Sequence, residues 1–489
     1  MPERNLARAA EAAFERHGDR DALWFEGRWY RSGELYERTV RLAGGLRRLG
    51  VEPRDRVVVL MANCPEVGIA YNAIWRIGAV VTPAIFLLPP AELANIVADS
   101  GARLILASPE LEDTARQAAG DAEVLTTDNF AGLEQSAPSP IVPPPGAELA
   151  ALMYTGGTTG RAKGVMLSHE NLWFAGKAGH DAGYVPGISR SLTALPLSHV
   201  FGMLVTVVGF HVRGPHSSVL MRWFQPEAWL RLAQEHRVQI AAVVPSMLKL
   251  LLAEPLEDYA LSELRYVVSG SAPLARETAQ ELQRRVPNVE VREGYGLTES
   301  SALVSSSPPG RSRLGAVGMP VPGVDVRIHE PDADGVGEIL VRSRSVMLGY
   351  WQAPDLTTDV LRDGWLRTGD VGRCDDDGYL YVVDRKKDLI IRGGFNVFPR
   401  DVEEALLEHP AVAAAGVVGR PDDLHGEEVV AFVELDDHEV GPDELVAFCK
   451  KRIGGYKYPR EVHVVSSLPL TPVGKLDRKA LRAQVAVSA

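Results

Sequence analysis

Residues Tyr154 to Gly164 read Tyr-Thr-Gly-Gly-Thr-Thr-Gly-Arg-Ala-Lys-Gly and follow an apolar run, Leu149-Ala-Ala-Leu-Met153. Glycine lets backbone N–H groups turn inward around an anion, hydroxyls add donors, and lysine adds a point charge. Thr155, Gly156, Gly157, Thr158, Thr159, Gly160 and Lys163 are therefore the means to hold a polyphosphate. The pattern is not G-x-x-x-x-G-K-[ST], because Lys163 is preceded by Ala162 and followed by Gly164. A second stretch, Glu293-Gly-Tyr-Gly-Leu-Thr-Glu299, lacks the third glycine of a dinucleotide fingerprint. Its residue types still suit a nucleotide. Tyr295 can stack on adenine, Thr298 can donate to a phosphate, and Glu299 can ligate Mg2+, a hard cation that takes few carboxylates beside phosphate oxygens.

Five further segments stand beside these two: Asp363-Gly-Trp-Leu-Arg-Thr-Gly-Asp-Val371, Asp384-Arg-Lys-Lys-Asp-Leu-Ile-Ile-Arg-Gly-Gly-Phe-Asn-Val-Phe-Pro399, Pro469-Leu-Thr-Pro-Val-Gly-Lys-Leu-Asp-Arg478, Ser269-Gly-Ser-Ala-Pro273 and Leu195-Pro-Leu-Ser-His-Val-Phe-Gly202. Together, over nearly the whole chain, these segments resemble the motifs of the adenylate-forming superfamily, which comprises acyl- and aryl-CoA synthetases, peptide-synthetase adenylation domains and luciferases. The second motif is nearest in wording to fatty-acyl-CoA synthetases. The resemblance implies an ATP/AMP site built from the phosphate loop with Gly270, Ser271, Ala272, Glu293, Gly294, Tyr295, Gly296, Thr298, Asp370, Arg385 and Lys475. Asp370 and Arg385 hold the ribose in such enzymes, Lys387 is the hinge, and Gly393 and Gly394 line the pantetheine channel. The implied catalytic set is Lys475, Thr298, Glu299 and His199, with Glu299 as the metal ligand and His199 flanking the acyl pocket. Seen alone, Lys475 is a solvated lysine in a turn, and His199 is a core histidine on an apolar segment.

The implied reaction uses ATP, Mg2+ and CoA in two halves. A carboxylate attacks the α-phosphorus to give acyl-AMP and pyrophosphate, then a thiol expels AMP. No protein nucleophile is required, in keeping with the lack of a G-x-S-x-G elbow and of a paired Cys–His motif. Positioning and charge stabilisation carry such catalysis. Lys475 would bridge carboxylate and α-phosphate, and rotation about Lys387 would then bring Gly394 to the thiol. Amino-acid-activating relatives place an aspartate near the segment of His199, where this chain has Leu197, Ser198 and Val200. Malonate-activating relatives place an arginine where this chain has Gly294. The expected substrate is thus a plain monocarboxylic acid, a fatty acid of medium or longer chain, with an aryl or arylpropenoic acid as the alternative. An acyl-AMP ligase loading an acyl carrier protein and a non-catalytic acyl-adenylate-binding protein are further alternatives. The first carries an insertion that is missing between Tyr350-Trp351 and Trp365. The joint retention of Glu299, Asp370, Arg385 and Lys475 argues against the second.

The elements that must position these residues are legible as alternating strands and helices. Arg56-Val-Val-Val-Leu-Met61, Ala79 to Pro83, Leu104 to Ala107, Leu192 to Pro196, Ile240 to Val244, Tyr266 to Ser269 and Val289 to Arg292 are strand-like. Helical periodicity covers Asn5 to Arg16, Ser32 to Leu49, Pro65 to Ile77 and Pro226 to His236. The fold expected is α/β: a large N-terminal domain, residues 1–386, of parallel α/β sheets plus a small β subdomain beginning near Gly323, and a small mobile α+β C-terminal domain, residues 387–489. Length agrees, since 489 residues exceed a single core. A net charge of -12 argues against a nucleic-acid partner. The most apolar stretch, Gly68 to Pro90, is broken by Arg76 and Pro83, so no integral membrane contact is expected. Three dispersed cysteines and the lack of a signal-like N-terminus point to a reducing cytoplasm. Seven of the ten lysines lie after residue 385, which suits contact with a small polyanion such as CoA. The partners expected are a small carboxylic acid and CoA, in a monomer or homodimer.

Overall fold

The computed structural model describes residues 4–142, 148–155, 162–393, 395–422, 424–436, 440–453, 455–471 and 475–487. The chain divides into two compact units, Met1–Val326 with Val341–Arg367 and Arg327–Leu340 with Thr368–Ala489.

The first unit contains two mixed sheets. In one, Glu290–Tyr295, Tyr266–Ser269, Ile240–Val243, Arg190–Thr193, Ser217–Leu220 and Asp21–Phe25 lie side by side and parallel. Short antiparallel strands close both edges. In the other, Leu149–Thr155, Val80–Pro83, Arg56–Leu60, Leu104–Ala107 and Glu123–Thr126 are parallel, and Lys163–Ser168 returns antiparallel on Leu149–Thr155. Val57, Val58, Val59 and Leu60 are all buried, as expected of central parallel strands covered on both faces. The covering helices begin where the sequence supplies prolines or caps. Pro65, Pro90, Pro226 and Pro245 stand in first turns, where a missing N–H costs nothing. Ser168 and Asn171 form a reciprocal cap on His169–Gly183.

Polar clips then fix the ends of the strands. Asn63, fully buried, donates to Leu195 O (2.9 Å) and Met221 O (3.0 Å) and accepts from Leu197 N (2.9 Å). Tyr71 Oη donates to Leu197 O (3.2 Å), and Trp75 Nε1 to Ala150 O (2.9 Å). Asn63 and Tyr71 thereby hold the segment leading into His199.

The second unit carries a sheet of Ile390–Arg392, Phe395–Val397, Val412–Asp422, Gly426–Leu435 and Glu461–Val464, packed with helices Pro399–Leu407, Pro442–Lys450 and Arg478–Val487. Arg478 Nη2 donates to both oxygens of Glu403, at 2.6 and 2.8 Å. This pair joins the helix after Lys475 to the first helix of the unit. The boundary at Arg367/Thr368 falls inside the strand Trp365–Cys374.

Three details differ from the sequence reading. The central strands are parallel as expected, but both sheets of the first unit have antiparallel edges. The strand expected to reach Pro196 ends at Thr193, because Asn63 intercepts the backbone of Leu195 and Leu197. The strand expected to stop at Arg292 continues to Tyr295. Ser307 supplies the reason: its N–H donates to Glu293 O (2.8 Å) and its hydroxyl accepts from Glu293 N (3.2 Å).

Candidate active site

In the first unit the strands on either side of the phosphate-loop segment pair antiparallel, with Thr155 opposite Lys163. Gly156, Gly157, Thr158, Thr159 and Gly160 lie outside the described residues. Gly349–Tyr350 pairs on the returning strand, Tyr350 against Val165. That register sets Lys163 Nζ 5.2 Å from the centre of the Tyr350 ring, a cation–π distance. Tyr350 Oη in turn donates to Glu299 Oε1 at 2.9 Å. Burial, reinforced by the Glu299 carboxylate, pushes the Tyr350 phenol up, so it remains a donor at neutral pH. Lys163, Tyr350 and Glu299 thus form one chain of contacts, although the residues are far apart in sequence.

Glu299 sits in the short 3-10 turn Thr298–Ser300 after Tyr295. Ser301 and Ala302 follow with φ of 56° and 78°, unusual for residues with a side chain. The fold-back places Ala302 O only 2.0 Å from where a Cβ on Gly296 would be, so no side chain is possible there. Gly294 differs. It is a strand residue paired with Ser306, without positive φ, and an added Cβ would meet only Ser305 O, at 3.3 Å, among the described residues. Gly294 therefore does not serve a turn; its lack of a side chain leaves room.

Gly270, Ser271 and Ala272 follow the neighbouring parallel strand, with Ser271 at φ 69°. A Cβ on Gly270 would lie 3.4 Å from both Gly294 O and the Phe201 ring. His199 is the N-cap of the apolar helix Val200–Val208, its Nδ1 accepting from Phe201 N at 3.3 Å. Gly270, Gly294, Phe201 and the His199 cap are therefore gathered at carboxyl ends of parallel strands, the place where open α/β sheets bind ligands. Two buried hydroxyls here, Ser198 Oγ and Ser269 Oγ, have no hydrogen-bond partner among the described residues. Glu293 is buried in the same strand as Tyr295.

In the second unit Asp370 and Arg385 are cross-strand partners, with Arg385 Nε 3.3 Å from Asp370 Oδ1. Lys475 lies within the field of both. Burial, helped by the Arg385 guanidinium and opposed by Asp370, lowers the Lys475 ammonium from an ordinary 10.5 to about 8. Its backbone is held by Thr471, whose Oγ1 accepts from Lys475 N (3.1 Å) and whose N–H donates to Lys475 O (2.7 Å). Lys387 lies in the turn after Leu380–Arg385, its ammonium pushed down mainly by burial. Gly393, at φ 57°, is described; Gly394 lies outside the described residues.

Residues 10–351 match the family model of the AMP-binding enzyme, and residues 401–475 match that of the AMP-binding enzyme C-terminal domain. The chain belongs to the AMP-binding enzymes. This AMP-binding enzyme is 33% identical, over 528 aligned positions, to a long-chain-fatty-acid–CoA ligase of Yersinia pestis, covering 98% of this chain and 94% of that one. It is 36% identical over 493 positions to a feruloyl-CoA synthase of an Amycolatopsis species, covering 98% and 97%. Among solved structures, ATP-bound MatB from Rhodopseudomonas palustris superposes with a TM-score of 0.90 at 30% identity, covering 98% of both chains. The AMP-binding enzyme described here is accordingly an AMP-forming acid–CoA ligase of the adenylate-forming superfamily, with ATP and CoA as substrates. Among its described residues no helix is long and apolar enough to cross a membrane.

Two neighbours of the site were not singled out in the sequence. Tyr350 had a signal only in hindsight, as an aromatic hydroxyl beside Trp351. Phe201 lay within the His199 segment but reads there as core.

Proposed function

We propose that the acid activated by this ligase is a fatty acid of medium or longer chain. The observation that carries this reading is Gly294, a strand glycine without a conformational need to be glycine and with a single close neighbour on its open side among the described residues. The helix Val200–Val208, Val-Phe-Gly-Met-Leu-Val-Thr-Val-Val, whose Phe201 ring borders Gly270 together with Gly294 O, offers no charged side chain to a second carboxylate or an amine. An arylpropenoic acid is the second reading, favoured by the similarity to a feruloyl-CoA synthase.

The residue roles follow the same proposal. Thr155, Thr158, Thr159 and Lys163 hold the pyrophosphate, Tyr295 and the Gly270–Ala272 turn hold the adenine, and Asp370 with Arg385 holds the ribose. Lys475 balances the charge that builds on phosphorus, while Thr298 and His199 orient phosphate and acyl groups. Glu299 fits a hard divalent cation: one oxygen is engaged by Tyr350, whose ring also meets Lys163 at the end of the phosphate loop. Bound Mg2+ would offset polyphosphate charge there. Residues 387–489 turn about Lys387 between the half-reactions, so that Gly393 and Gly394 receive the pantetheine arm.

Pyrophosphate release, measured with and without CoA across acetate, octanoate, palmitate, ferulate and benzoate, tests the reading. Preference for octanoate or palmitate, with CoA consumed, is expected. Preference for ferulate selects the second reading. Release without CoA consumption points to a carrier-protein acceptor, and no release to a binding protein without turnover.

A further inference from the structure

Beside Gly393 stands an imidazole with no role in the scheme above. The hairpin strands Val412–Asp422 and Gly426–Leu435 flank a turn in which Asp422 Oδ1 accepts from Leu424 N (3.1 Å) and His425 N (2.8 Å) and lies 3.1 Å from His425 Nδ1. A carboxylate only accepts, so the Nδ1 proton is committed to Asp422 and neutral His425 presents an unprotonated Nε2. His425 O accepts from Gly393 N at 2.7 Å. A Cβ on Gly393 would lie 3.7 Å from His425 Cδ2, the carbon bonded to Nε2. The imidazole edge therefore borders the space that glycine leaves empty, and both His425 and Asp422 are about one-third exposed (33% and 30%).

The charged groups around the ring are Asp422 and Glu428, with Arg392 and Arg460 beyond. Asp422, His425 and Glu428 cluster closely enough to suggest a metal site. Glu428, however, is taken by two bonds from Arg392 (2.5 and 3.0 Å), which leaves Asp422 as the partner of the imidazole.

We propose that His425, oriented by Asp422, is the general base of thioester formation. Nε2 takes the thiol proton of CoA as sulfur bonds to the acyl carbon, the acyl carbon–phosphate oxygen bond breaks, and AMP departs with that electron pair. The imidazolium then releases its proton to water. The proposal rests on the assignment of Gly393–Gly394 to the pantetheine arm.

Thioester formation from supplied acyl-AMP at saturating CoA, followed by rapid quench from pH 6.5 to 9.5, tests it in the full-length chain. General-base catalysis contributes roughly 10²–10⁴-fold, so His425→Gln should slow this step about 100-fold near pH 7. The deficit should shrink to a few-fold by pH 9.5, because an ordinary thiol ionises near ~8.5 and supplies its own thiolate. Asp422→Asn should show a smaller deficit of the same pH shape. Acyl-AMP formation by the same variants reports that they are folded. A pH-independent deficit, no deficit, or a raised KM for CoA with unchanged kcat overturns the proposal. Gly393→Val separates the two assignments. If it impairs CoA use while His425→Gln does not, the pantetheine assignment stands and the base does not. If Gly393→Val is silent, both fall.

Discussion

Lys475 carries its charge only below about pH 8, because burial and the Arg385 guanidinium both disfavour the ammonium while Asp370 only partly compensates. The ammonium is present below that value and lost as pH rises through it. If this charge stabilises the first half-reaction, kcat/KM for ATP, which reports the free enzyme, should fall above about pH 8. In kcat the limb should move to higher pH, since bound polyphosphate favours the charged form. Lys475→Arg should abolish the limb, and Lys475→Ala should slow acyl-AMP formation by about 10²–10³-fold, the scale of losing one charge-stabilising donor. Conversion of supplied acyl-AMP and CoA to thioester should be spared by Lys475→Ala. Equal losses in both halves would contradict a role confined to adenylation. In the sequence Lys475 is a turn lysine; its burial and its proximity to residues about 90 and 105 positions upstream exist only in the fold.

At the scale of elements, the strand Glu290–Tyr295 and the turn after it assign opposite roles to two glycines two positions apart. Gly296 is closed in by Ala302 O, whereas Gly294 faces, among the described residues, a single carbonyl at 3.3 Å. Gly294→Ala should need a shift of only a few tenths of an ångström, and Gly294→Trp should fill the space ahead of the Phe201–Gly270 contact. Each buried methylene contributes about 0.8 kcal/mol. Gly294→Trp should therefore lower kcat/KM on octanoate and longer acids by orders of magnitude, and on acetate or propionate far less. A chain-length profile for wild type, Gly294→Ala and Gly294→Trp checks this. Uniform loss across all acids in both variants would mean that the substitutions strain the Ser305 strand instead. Apolar runs made most of the parallel strands of the first unit legible, whereas only four of the helices were read from periodicity. What the sequence hid were features made by distant partners. Ser307 extends the strand through Gly294 and so removes the need for a turn. The Lys163–Tyr350–Glu299 contacts depend on the pairing of Gly349–Tyr350 with Val165–Met166, which local periodicity does not encode.

On the scale of the whole molecule, the proposed turn at Lys387 has to be reconciled with a compact second unit that includes Asp370 and Arg385 on one side of it and Lys475 on the other. The residues flanking Lys387 are anchored: Lys386 N donates to Gly369 O (2.9 Å) and its Nζ to Glu338 (3.3 Å), while Asp388 pairs with Arg482 (2.8 Å). No hydrogen bond from the Lys387 N–H is present among the described residues, so the φ/ψ change of a rotation is absorbed there at least cost. Burial is the main cause of the lowered Lys475 pKa; rotation would also remove Lys475 from Arg385, whose repulsion adds to it. Lys387→Pro fixes φ without deleting a backbone bond. It does place proline third in the turn closed by Asp388 N–H to Arg385 O (2.9 Å), a position that pushes the preceding residue out of the α region. Some loss of thermal stability is therefore expected and is read separately by unfolding. With that measured, Lys387→Pro should leave acyl-AMP formation within a few-fold of wild type and slow thioester formation by at least 10²-fold. Normal overall turnover in this variant would move the hinge away from Lys387. Loss of acyl-AMP formation alone would show instead that the turn serves the Asp370–Arg385 pair.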